Sequence, residues 1–352
     1  MTIGGTGFAP TVTQGLPSLL ILVGSDQDTR LILVPESIRT VGSSDLHLLI
    51  DRGTPYYLMH VTRNFFKQTP IRPDLLPFRT AVNLVTDGDQ NPKVLSNIQK
   101  ILRGFRGRII NRPEAVLRSG RDHVARLLAG VPGLIVPKVV RLANARPEVT
   151  VRTLAKAGLQ FPVLLRRAGT HTGEFIGRFD GAEEASQALT ATGDHIVTEF
   201  IDFASADRLY RKYRVFFVGD RLVFRHMLVS DHWNVHANDR TRFMASRPEL
   251  LAEEQRVLSS PTGGLTHDAM ASLRCVRERI PLDYFGMDFG IAPDGQILLF
   301  EANATMNFFP FLDDPRFAYV KRSLEPAQNA MRELIGVAPP MRHGFFHENS
   351  FA

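Results

Sequence analysis

Residues 288–303 read DFGIAPDGQILLFEAN and contain two apolar runs separated by Ala292-Pro293-Asp294-Gly295. A Pro-Asp-Gly turn between two such runs predicts a β-hairpin. Successive strand residues point to opposite faces of a sheet, so Glu301 and Asn303 share a face, and Asp288 on the partner strand lies close enough to face them. Two carboxylates and an amide oxygen suit Mg2+, which binds few protein oxygens and completes its shell with water and phosphate oxygens.

The competing interpretation is that these three polar residues simply face solvent. Apolar Phe289, Ile291, Leu298 and Phe300 occupy the alternate positions and predict that the opposite face is buried. The hairpin pattern alone leaves both metal binding and plain solvent exposure open.

The composition is that of a globular protein with two or three structural units. The 352 residues are 44% hydrophobic and 22% charged, and no apolar run approaches the roughly 20 residues of a membrane-spanning helix. The apolar run at residues 19–23 lacks a basic flank, so it predicts a first strand rather than a signal peptide. The single cysteine, Cys275, excludes an internal disulfide and favours a reducing compartment, which predicts a cytoplasmic protein.

Positive charge is concentrated early in the chain, since residues 1–150 hold 19 Lys and Arg against 11 Asp and Glu. The densest stretch, residues 100–121, is expected either to attract an anion or to form an ordinary solvated helix face. Phe105 is its only aromatic residue, so nucleic-acid binding is not expected.

Alternating strand and helix patterns predict an α/β (α+β) protein. In the first third, apolar runs at 19–23, 31–34, 56–61 and 81–85 precede a helical pattern at 92–102 and a strand at 108–110, which favours a parallel sheet. The other predicted strands are 134–142, 161–166, 174–179, 196–201, 213–218, 221–229, 285–291 and 296–300. The other predicted helices are 121–128, one after residue 150, one from 182, 267–279 and 324–334.

Residues 161–173, FPVLLRRAGTHTG, join an apolar strand to a loop of small residues. The strand delivers Arg166 to the mouth of this loop, where Thr170, Thr172, Gly173 and nearby backbone N–H groups can donate to phosphate oxygens. No Gly-Lys-Ser/Thr leads into a helix, so the loop is not of the Walker type. An ordinary hairpin remains the alternative.

Two later strands carry charged residues at positions suited to a ligand. Residues 197–202, VTEFID, form an apolar strand that ends in Glu199 and Asp202, and residues 211–215, RKYRV, begin the next strand. Lys212 and Arg214 alternate along that strand and therefore lie on one face. Two cations on one strand face suit a phosphate or a carboxylate.

Residues 225–236, RHMLVSDHWNVH, contain three histidines and the only tryptophan. Their spacing matches no common zinc-ligand pattern and no cysteine contributes, so zinc is not expected. We predict a polar substrate pocket with an aromatic wall, although single histidines here also suit core or surface positions. The candidate residues are Arg225, His226, His232, Trp233 and His236.

In this order, these segments resemble the ATP-grasp superfamily over about residues 111–307, and the preceding unit resembles its preATP-grasp domain more weakly. The segments NRPEAVLRSGRD, FPVLLRRAGTHTGE, RKYRVFFVG, HWNVH and GMDFG…LLFEANATM are similar to bacterial ATP-grasp proteins often fused to tetratricopeptide repeats, which this sequence lacks. The resemblance implies a Rossmann-like preATP-grasp domain at 19–118, a central lid subdomain at 119–195 and a C-terminal subdomain with the metal site at 196–340. A flexible arm at 1–18 and a tail at 341–352 complete this division.

The resemblance also implies roles for matching residues. Arg121 and Arg166 occupy positions of phosphate-binding lysines, where arginine keeps the charge and adds bidentate geometry. Residues 170–173 resemble the mobile loop that closes over the phosphates. ATP and Mg2+ are the implied cofactors, with Glu199, Phe200 and Ile201 holding adenine and Asp288, Glu301 and Asn303 holding magnesium.

The sequence departs from the family pattern at the ribose contact. The acid that commonly stands two residues before the strand arginine, Arg214, is replaced by Lys212. Asp202 or Asp207 is therefore the candidate for this contact.

A second departure follows Asn303, where the usual Pro or Gly is replaced by Ala304-Thr305-Met306. This segment and Asn307 are expected to shape the acceptor pocket and so to influence the choice of substrate.

The resemblance implies an ADP-forming carboxylate–amine ligase. A carboxylate attacks the γ-phosphate of ATP to give an acyl phosphate, which an amine displaces, with Arg166 and Arg214 as catalytic cations. The expected partners are a small-molecule or peptide carboxylate and an amine acceptor, with no nucleic acid or membrane, and dimers are common in the class. A small-molecule kinase on the same fold and a catalytically silent nucleotide-binding module remain the alternatives.

Overall fold

The computed structural model describes residues 18–27, 31–34, 37–51, 53–68, 72–144, 146–170, 175–189, 193–308 and 311–336. The arm predicted at 1–18, apart from Ser18, and the tail predicted at 341–352 lie outside these residues. Thr172 and Gly173 of the predicted phosphate loop also lie outside them.

The first part of the chain is built on a parallel sheet. Its elements are β1 (Leu19–Ser25), β2 (Leu31–Val34), β3 (Ser37–Thr40), β4 (Tyr57–Thr62), α1 (Phe65–Gln68), β5 (Thr80–Asn83), α2 (Pro92–Ile101), β6 (Arg108–Ile110) and α3 (Pro113–Val116). The sheet order is β4-β1-β5-β6, all parallel, and β2 and β3 form a separate antiparallel pair. All seven residues of β1 are buried, as is typical of a central parallel strand, and the predicted parallel sheet is confirmed.

The second part is a small antiparallel sheet with its own core. After α4 (Arg121–Leu128) and β7 (Leu134–Ile135), its elements are β8 (Val139–Leu142), α5 (Pro147–Ala157), β9 (Val163–Arg167), β10 (Gly177–Phe179), α6 (Ala182–Gln187) and β11 (His195–Glu199). The strand order is β10-β9-β11-β8. Leu142, Leu154, Val163, Leu165 and Val197 form a core that is separate from those of the rest of the chain.

The third part is a five-stranded sheet covered by helices. Its elements are β12 (Tyr210–Val218), β13 (Arg221–Ser230), a π-helix (Arg240–Met244), α7 (Pro248–Ser259), α8 (His267–Arg279), β14 (Tyr284–Ile291), β15 (Ile297–Asn303), a 3-10 helix (Pro315–Ser323) and α9 (Leu324–Ile335). The order is β13-β12-β14-β15-β7, in which β7 alone runs parallel to its neighbour. The predicted hairpin at 288–303 is therefore formed by β14 and β15.

One predicted strand, 134–142, is divided between two sheets. Leu134 and Ile135 pair with β15 of the third part, whereas Val139–Leu142 pairs with β11 of the second part. Pro137 lies between them, and proline cannot donate a backbone hydrogen bond to continue a strand ladder. The chain therefore passes from one sheet to the other here, and Pro137 borders the cavity between them.

The first and third parts are held together by shared packing. One hydrophobic core contains residues of β1, β5, β6, β12 and α9. Asn111 joins the end of β6 to the start of β14, because its side chain donates to Tyr284 O at 2.7 Å and accepts from Asp283 N and Tyr284 N, both at 2.9 Å. None of the helices among the described residues has the length and apolar character needed to cross a membrane.

Candidate active site

The site is organised around a row of residues that crosses four strands of the third sheet. By strand register, His226 of β13 faces Arg214 of β12, Arg214 faces Asp288 of β14, and Asp288 faces Glu301 of β15. At register shifts beside the row, the paired positions skip Arg225 of β13 and Phe300 of β15. Such β-bulges redirect side chains and are common beside active sites.

Asp288 is the most heavily paired carboxylate of the row. Arg214 donates to both of its oxygens, from Nε at 2.6 Å and from Nη2 at 2.7 Å, and Lys212 Nζ lies 3.6 Å from Oδ2. Burial alone would raise the pKa of Asp288, but the charges and hydrogen bonds of Arg214 and Lys212 hold this pKa below its usual value. Asp288 is therefore ionised at neutral pH.

Glu301 is paired from the other side of the site. Arg121, the first residue of α4, forms an ion pair with Glu301 and donates from Nη1 to Phe300 O at 3.4 Å. Burial opposes ionisation of Glu301, but the charge of Arg121, supported by Arg166 and Arg214, outweighs it and lowers the pKa. Two ionised carboxylates thus face each other between arginines.

Arg166 approaches the same place from β9 of the second sheet. It is 8% exposed, its guanidinium carbon lies 4.1 Å from the centre of the Phe175 ring, and its Nε has no hydrogen-bond partner among the described residues. Burial, and then the charge of Arg121, lower its pKa to about 9, so the group stays cationic at neutral pH.

These residues open into a cavity of about 280 Å3 between the second and third sheets. Trp233 forms an aromatic wall with Phe175 and Phe200, whose ring centres lie 5.4 Å and 5.3 Å from that of Trp233. Sequence reasoning identified Trp233, His236, His226, Phe200 and Ile201, all of which line the cavity. It missed several other lining residues: Leu164, Phe175, Thr198, Phe203, Leu228, Asn234, Val235, Leu298, Leu299 and Phe300.

The end of β11 gives the cavity a rigid edge. The Glu199 carboxylate accepts from the backbone N–H groups of Lys138 at 3.1 Å and Gln160 at 2.8 Å. Its side chain therefore fixes neighbouring segments, and the next two residues, Phe200 and Ile201, border the cavity.

The two acids considered for a ribose contact lie elsewhere. Asp202 and Asp207 are exposed and do not line the cavity. Asp202 accepts from Ala204 N at 3.2 Å, and Asp207 binds the Arg211 guanidinium at 3.0 Å and 2.8 Å. Lys212 does line the cavity, but as a partner of Asp288.

Three predicted substrate residues also lie away from the cavity. Arg225 donates from Nε to Phe308 O at 2.6 Å and lies over the Phe311 ring at 4.3 Å. His232 Nε2 is 3.6 Å from Asp239. Asn307 is exposed, and its Oδ1 accepts from Asp45 N at 3.2 Å. Strand alternation alone does not reveal these contacts, because the partners of Arg225 and Asn307 lie 83 and 262 residues away in the sequence and the partner of His232 lies beyond the strand.

Asn303 borders a smaller adjoining cavity together with Arg121, Gly169 and Thr170. Its Oδ1 accepts from Thr305 N at 2.9 Å and Met306 N at 3.1 Å, so the side chain also shapes the following turn. Arg121 borders both cavities and connects them.

The donor set is compatible with a divalent cation that also binds non-protein oxygens. Among the described residues, no three or more His, Cys, Asp or Glu side chains are grouped as a metal site. Asp288 and Glu301 supply two ionised carboxylates in register on the wall of the larger cavity. Asn303, two residues beyond Glu301, borders the adjoining cavity, and its Oδ1 already accepts two backbone hydrogen bonds. Such a set fits Mg2+ when phosphate oxygens and water complete the shell.

The cluster has more positive than negative charge. Its two carboxylates are Asp288 and Glu301, and its four cations are Arg121, Arg166, Lys212 and Arg214. The excess of two positive charges favours a polyanion in the cavity, since buried like charges repel without one.

No protein-family model matches the chain, and no curated protein matches it. Among solved structures, it is similar to a RimK domain ATP-grasp protein from Sphaerobacter thermophilus, with a TM-score of 0.50 and 14% identity, over 90% of this chain and 99% of that chain. It is also similar to N5-carboxyaminoimidazole synthetase from Staphylococcus aureus complexed with ADP, with a TM-score of 0.51 and 10% identity, over 93% of this chain and 79% of that chain. At such low identity, these similarities describe the fold.

Proposed function

Because the chain has the ATP-grasp fold, we propose that it is an ATP- and Mg2+-dependent, ADP-forming ligase that joins a carboxylate to an amine. The observation that carries this proposal is the partly buried cluster of four cations and two carboxylates at one end of an aromatic-walled cavity. An aromatic wall suits a purine, and excess positive charge suits phosphates. The similar synthetase was crystallised with ADP, which supports the same assignment.

In this proposal adenine lies against Phe175, Phe200 and Trp233, beside the fixed end of β11. Arg166 and Arg121 bind the phosphates, and the buried Nε of Arg166 gains the partner that it lacks among the described residues. Asp288, Glu301 and Asn303 would hold Mg2+, which would neutralise phosphate charge when bound.

The first chemical step is attack by a substrate carboxylate oxygen on the γ-phosphorus of ATP. The bond from that phosphorus to the β–γ bridging oxygen breaks, and ADP leaves with the electron pair, which yields an acyl phosphate. Charge develops on the transferring oxygens, and Arg214, oriented by its bidentate contact with Asp288, is the group proposed to stabilise it. In the second step, an amine displaces phosphate from the acyl carbon.

Nucleotide binding is tested first, through the fluorescence of Trp233, the only tryptophan. ATP with Mg2+ is expected to change this emission with saturation, because Trp233 lines the proposed adenine site. A flat titration, accompanied by no binding in calorimetry, would contradict the nucleotide assignment.

Turnover is tested by ADP release with ATP, Mg2+, pooled amino acids and small carboxylates, followed by mass spectrometry of the products. A ligase releases free phosphate with ADP and forms an amide, whereas a kinase leaves phosphate on the acceptor. Asp288→Asn combined with Glu301→Gln is expected to remove Mg2+-dependent ADP release. Retention of that activity by the double variant would show that the metal assignment is wrong.

A further inference from the structure

One buried atom beside the cluster has no role in the reaction described so far. Within the described part of the chain, the Nε2 atom of His226 is buried and has no hydrogen-bond partner, although His226 lines the cavity. Buried polar atoms in native proteins nearly always have a partner, so an unpaired nitrogen in a cavity wall points to a ligand group.

His226 occupies the end of the cross-strand row that is farthest from Glu301. It faces Arg214, and Arg214 in turn holds Asp288. The proposed phosphoryl transfer takes place between Glu301 and Arg214. His226 lies on the other side of Arg214 along the row, so a group in contact with His226 lies outside the phosphate site. The acceptor, rather than the nucleotide, is therefore the reactant placed next to this imidazole.

Cations surround the imidazole from several elements. Lys212 and Arg214 come from β12, Arg225 precedes His226 on β13, and Arg240 comes from the π-helix. The nearby carboxylate of Glu254 is occupied, since it accepts from Arg240 at 2.8 Å and 2.5 Å, from Tyr319 at 2.6 Å and from Met227 N at 3.2 Å.

Burial, and then these cations, hold the pKa of His226 well below its usual value. The side chain is therefore neutral, and a neutral imidazole has a nitrogen that can accept a proton, which arginine and lysine lack under the same conditions. Nucleotide phosphates would offset the surrounding positive charge, so the imidazole becomes a better base once the site is loaded.

We propose that His226 is the general base for the acceptor amine, an inference that rests on the proposed ligase function. The imidazole takes one proton from the acceptor ammonium, and the freed nitrogen lone pair attacks the acyl carbon. The new C–N bond forms, the C–O bond to phosphate breaks, and phosphate leaves with that electron pair. The leaving phosphate takes the second proton from nitrogen, which leaves the neutral amide.

The test compares two nucleophiles: the ammonium group of an amino acid, which must lose a proton to a base before it attacks, and hydroxylamine, which needs no base. Wild type and His226→Gln are each given ATP, Mg2+ and pooled amino acids, which supply both carboxylate and amine, with and without hydroxylamine. Hydroxylamine is largely unprotonated at neutral pH, so it can trap an acyl phosphate as a hydroxamate without a general base. We expect His226→Gln to lose amide formation by about 100-fold or more, and to keep hydroxamate formation within roughly threefold of wild type.

His267→Gln is the matched control, because His267 lies at the exposed start of α8, away from the cavity. It should match wild type in both assays. Equal loss of amide and hydroxamate in His226→Gln, or retention of both, would overturn the base assignment while leaving the ligase function intact. Absence of hydroxamate with wild type would instead overturn the ligase function, and the base assignment with it.

Discussion

The position of Arg166 lowers the free energy of unfolding of the ligand-free protein. It is 8% exposed, its nearest strong contact is the Phe175 ring, and none of the described carboxylates forms an ion pair with it. A buried cation without a paired anion is unfavourable, and the charge of Arg121 adds to this cost. A polyanionic ligand would supply the negative charge that Arg166 lacks. Removal of the Arg166 charge should therefore stabilise the ligand-free protein and weaken ligand binding.

Arg166→Met tests this opposition. Removing the unpaired charge should raise the free energy of unfolding of the ligand-free protein by about 1 kcal/mol, as replacement of buried charge by apolar groups often does. The same change should weaken ATP binding by about 10- to 100-fold, since a charge-assisted hydrogen bond is lost. Urea denaturation and Trp233 fluorescence measure the two effects.

Arg152→Met provides the control for Arg166→Met, because Arg152 is an exposed residue of α5 in the same part of the chain. It should alter neither quantity. A less stable Arg166→Met protein that binds ATP normally would mean that Arg166 has a structural role only.

Asp288 predicts a pH dependence of stability. Its pKa is lower in the folded chain than the ordinary value of 3.8, so its stabilising effect is present above 3.8 and is lost as pH falls through the folded value. Asp288→Asn leaves Arg214 and Lys212 without their partner, which should cost about 3 kcal/mol at pH 7. The difference from wild type should shrink in acid, where the wild-type carboxylate is also neutral.

Urea denaturation at neutral pH and below pH 3.8 measures the Asp288→Asn effect. The exposed Asp220→Asn should track wild type at both values. A constant difference between Asp288→Asn and wild type across the range would contradict the linkage to this carboxylate.

At the scale of elements, local pattern was sufficient where strands and helices are regular. The hairpin of β14 and β15, the helix at α8 and the strand at β6 follow from apolar periodicity and turn residues, and the structure confirms them. The 134–142 strand was predicted as one element, because Pro137 alone does not reveal that the residues before it and the residues after it pair with two different sheets. Helix α7 was missed entirely.

The candidate site was predictable only where it depends on the regular alternation of strand residues. Alternation correctly placed Glu301 opposite Asp288, but it cannot predict a bulge, and the bulge brings Phe300 to the cavity as well. Arg225 was grouped with His226 by proximity in sequence, whereas its bonding partner, Phe308, lies on a segment 83 residues away. Side-chain partners set by tertiary packing carry no local sequence pattern.

The turn after β15 offers a prediction at this scale. Gly286 of β14 faces Asn303, and a Cβ at residue 286 would lie 2.7 Å from the Cβ and 2.6 Å from the sulfur of Met306. The segment that follows Asn303 therefore folds tightly over a strand that has no side chain at this point. Gly286→Ala should destabilise the protein by about 1–3 kcal/mol through overpacking.

Met306→Ala in the same chain should recover part of the Gly286→Ala loss, since it removes the sulfur that would lie 2.6 Å from the new Cβ, while the contact with the Cβ of residue 306 remains. Thermal denaturation of the two single variants and the double variant measures this coupling. Gly181→Ala is the control, because no atom lies within 4 Å of a Cβ there. Strict additivity of the Gly286 and Met306 effects would exclude the proposed contact.

At the scale of the whole molecule, the three parts are not equally connected. The first and third share a core and the Asn111 hydrogen bonds, whereas the second sheet has a separate core. The polar contacts of the second sheet with the first and third parts therefore determine how Arg166 is aligned with Arg121. Arg141 of β8 provides the main one: it binds Asp89 of the first part at 2.9 Å, Asp122 of α4 at 3.0 Å and Asp194 at 3.3 Å.

Arg141→Met should loosen the second sheet from the other two parts without removing a cavity residue, because Arg141 does not line the cavity. Asp122 follows Arg121 directly and, among the described residues, would keep only its contacts with its own helix, so loss of Arg141 should also disturb the residue that pairs with Glu301. We expect ATP binding, measured by Trp233 fluorescence, to weaken by about tenfold, or about 1.4 kcal/mol. Asp194→Asn, which removes only the negative charge of the 3.3 Å contact, should have a smaller effect. Unchanged ATP affinity in Arg141→Met, with lowered thermal stability, would mean that Arg141 stabilises the fold but does not align the two halves of the nucleotide site.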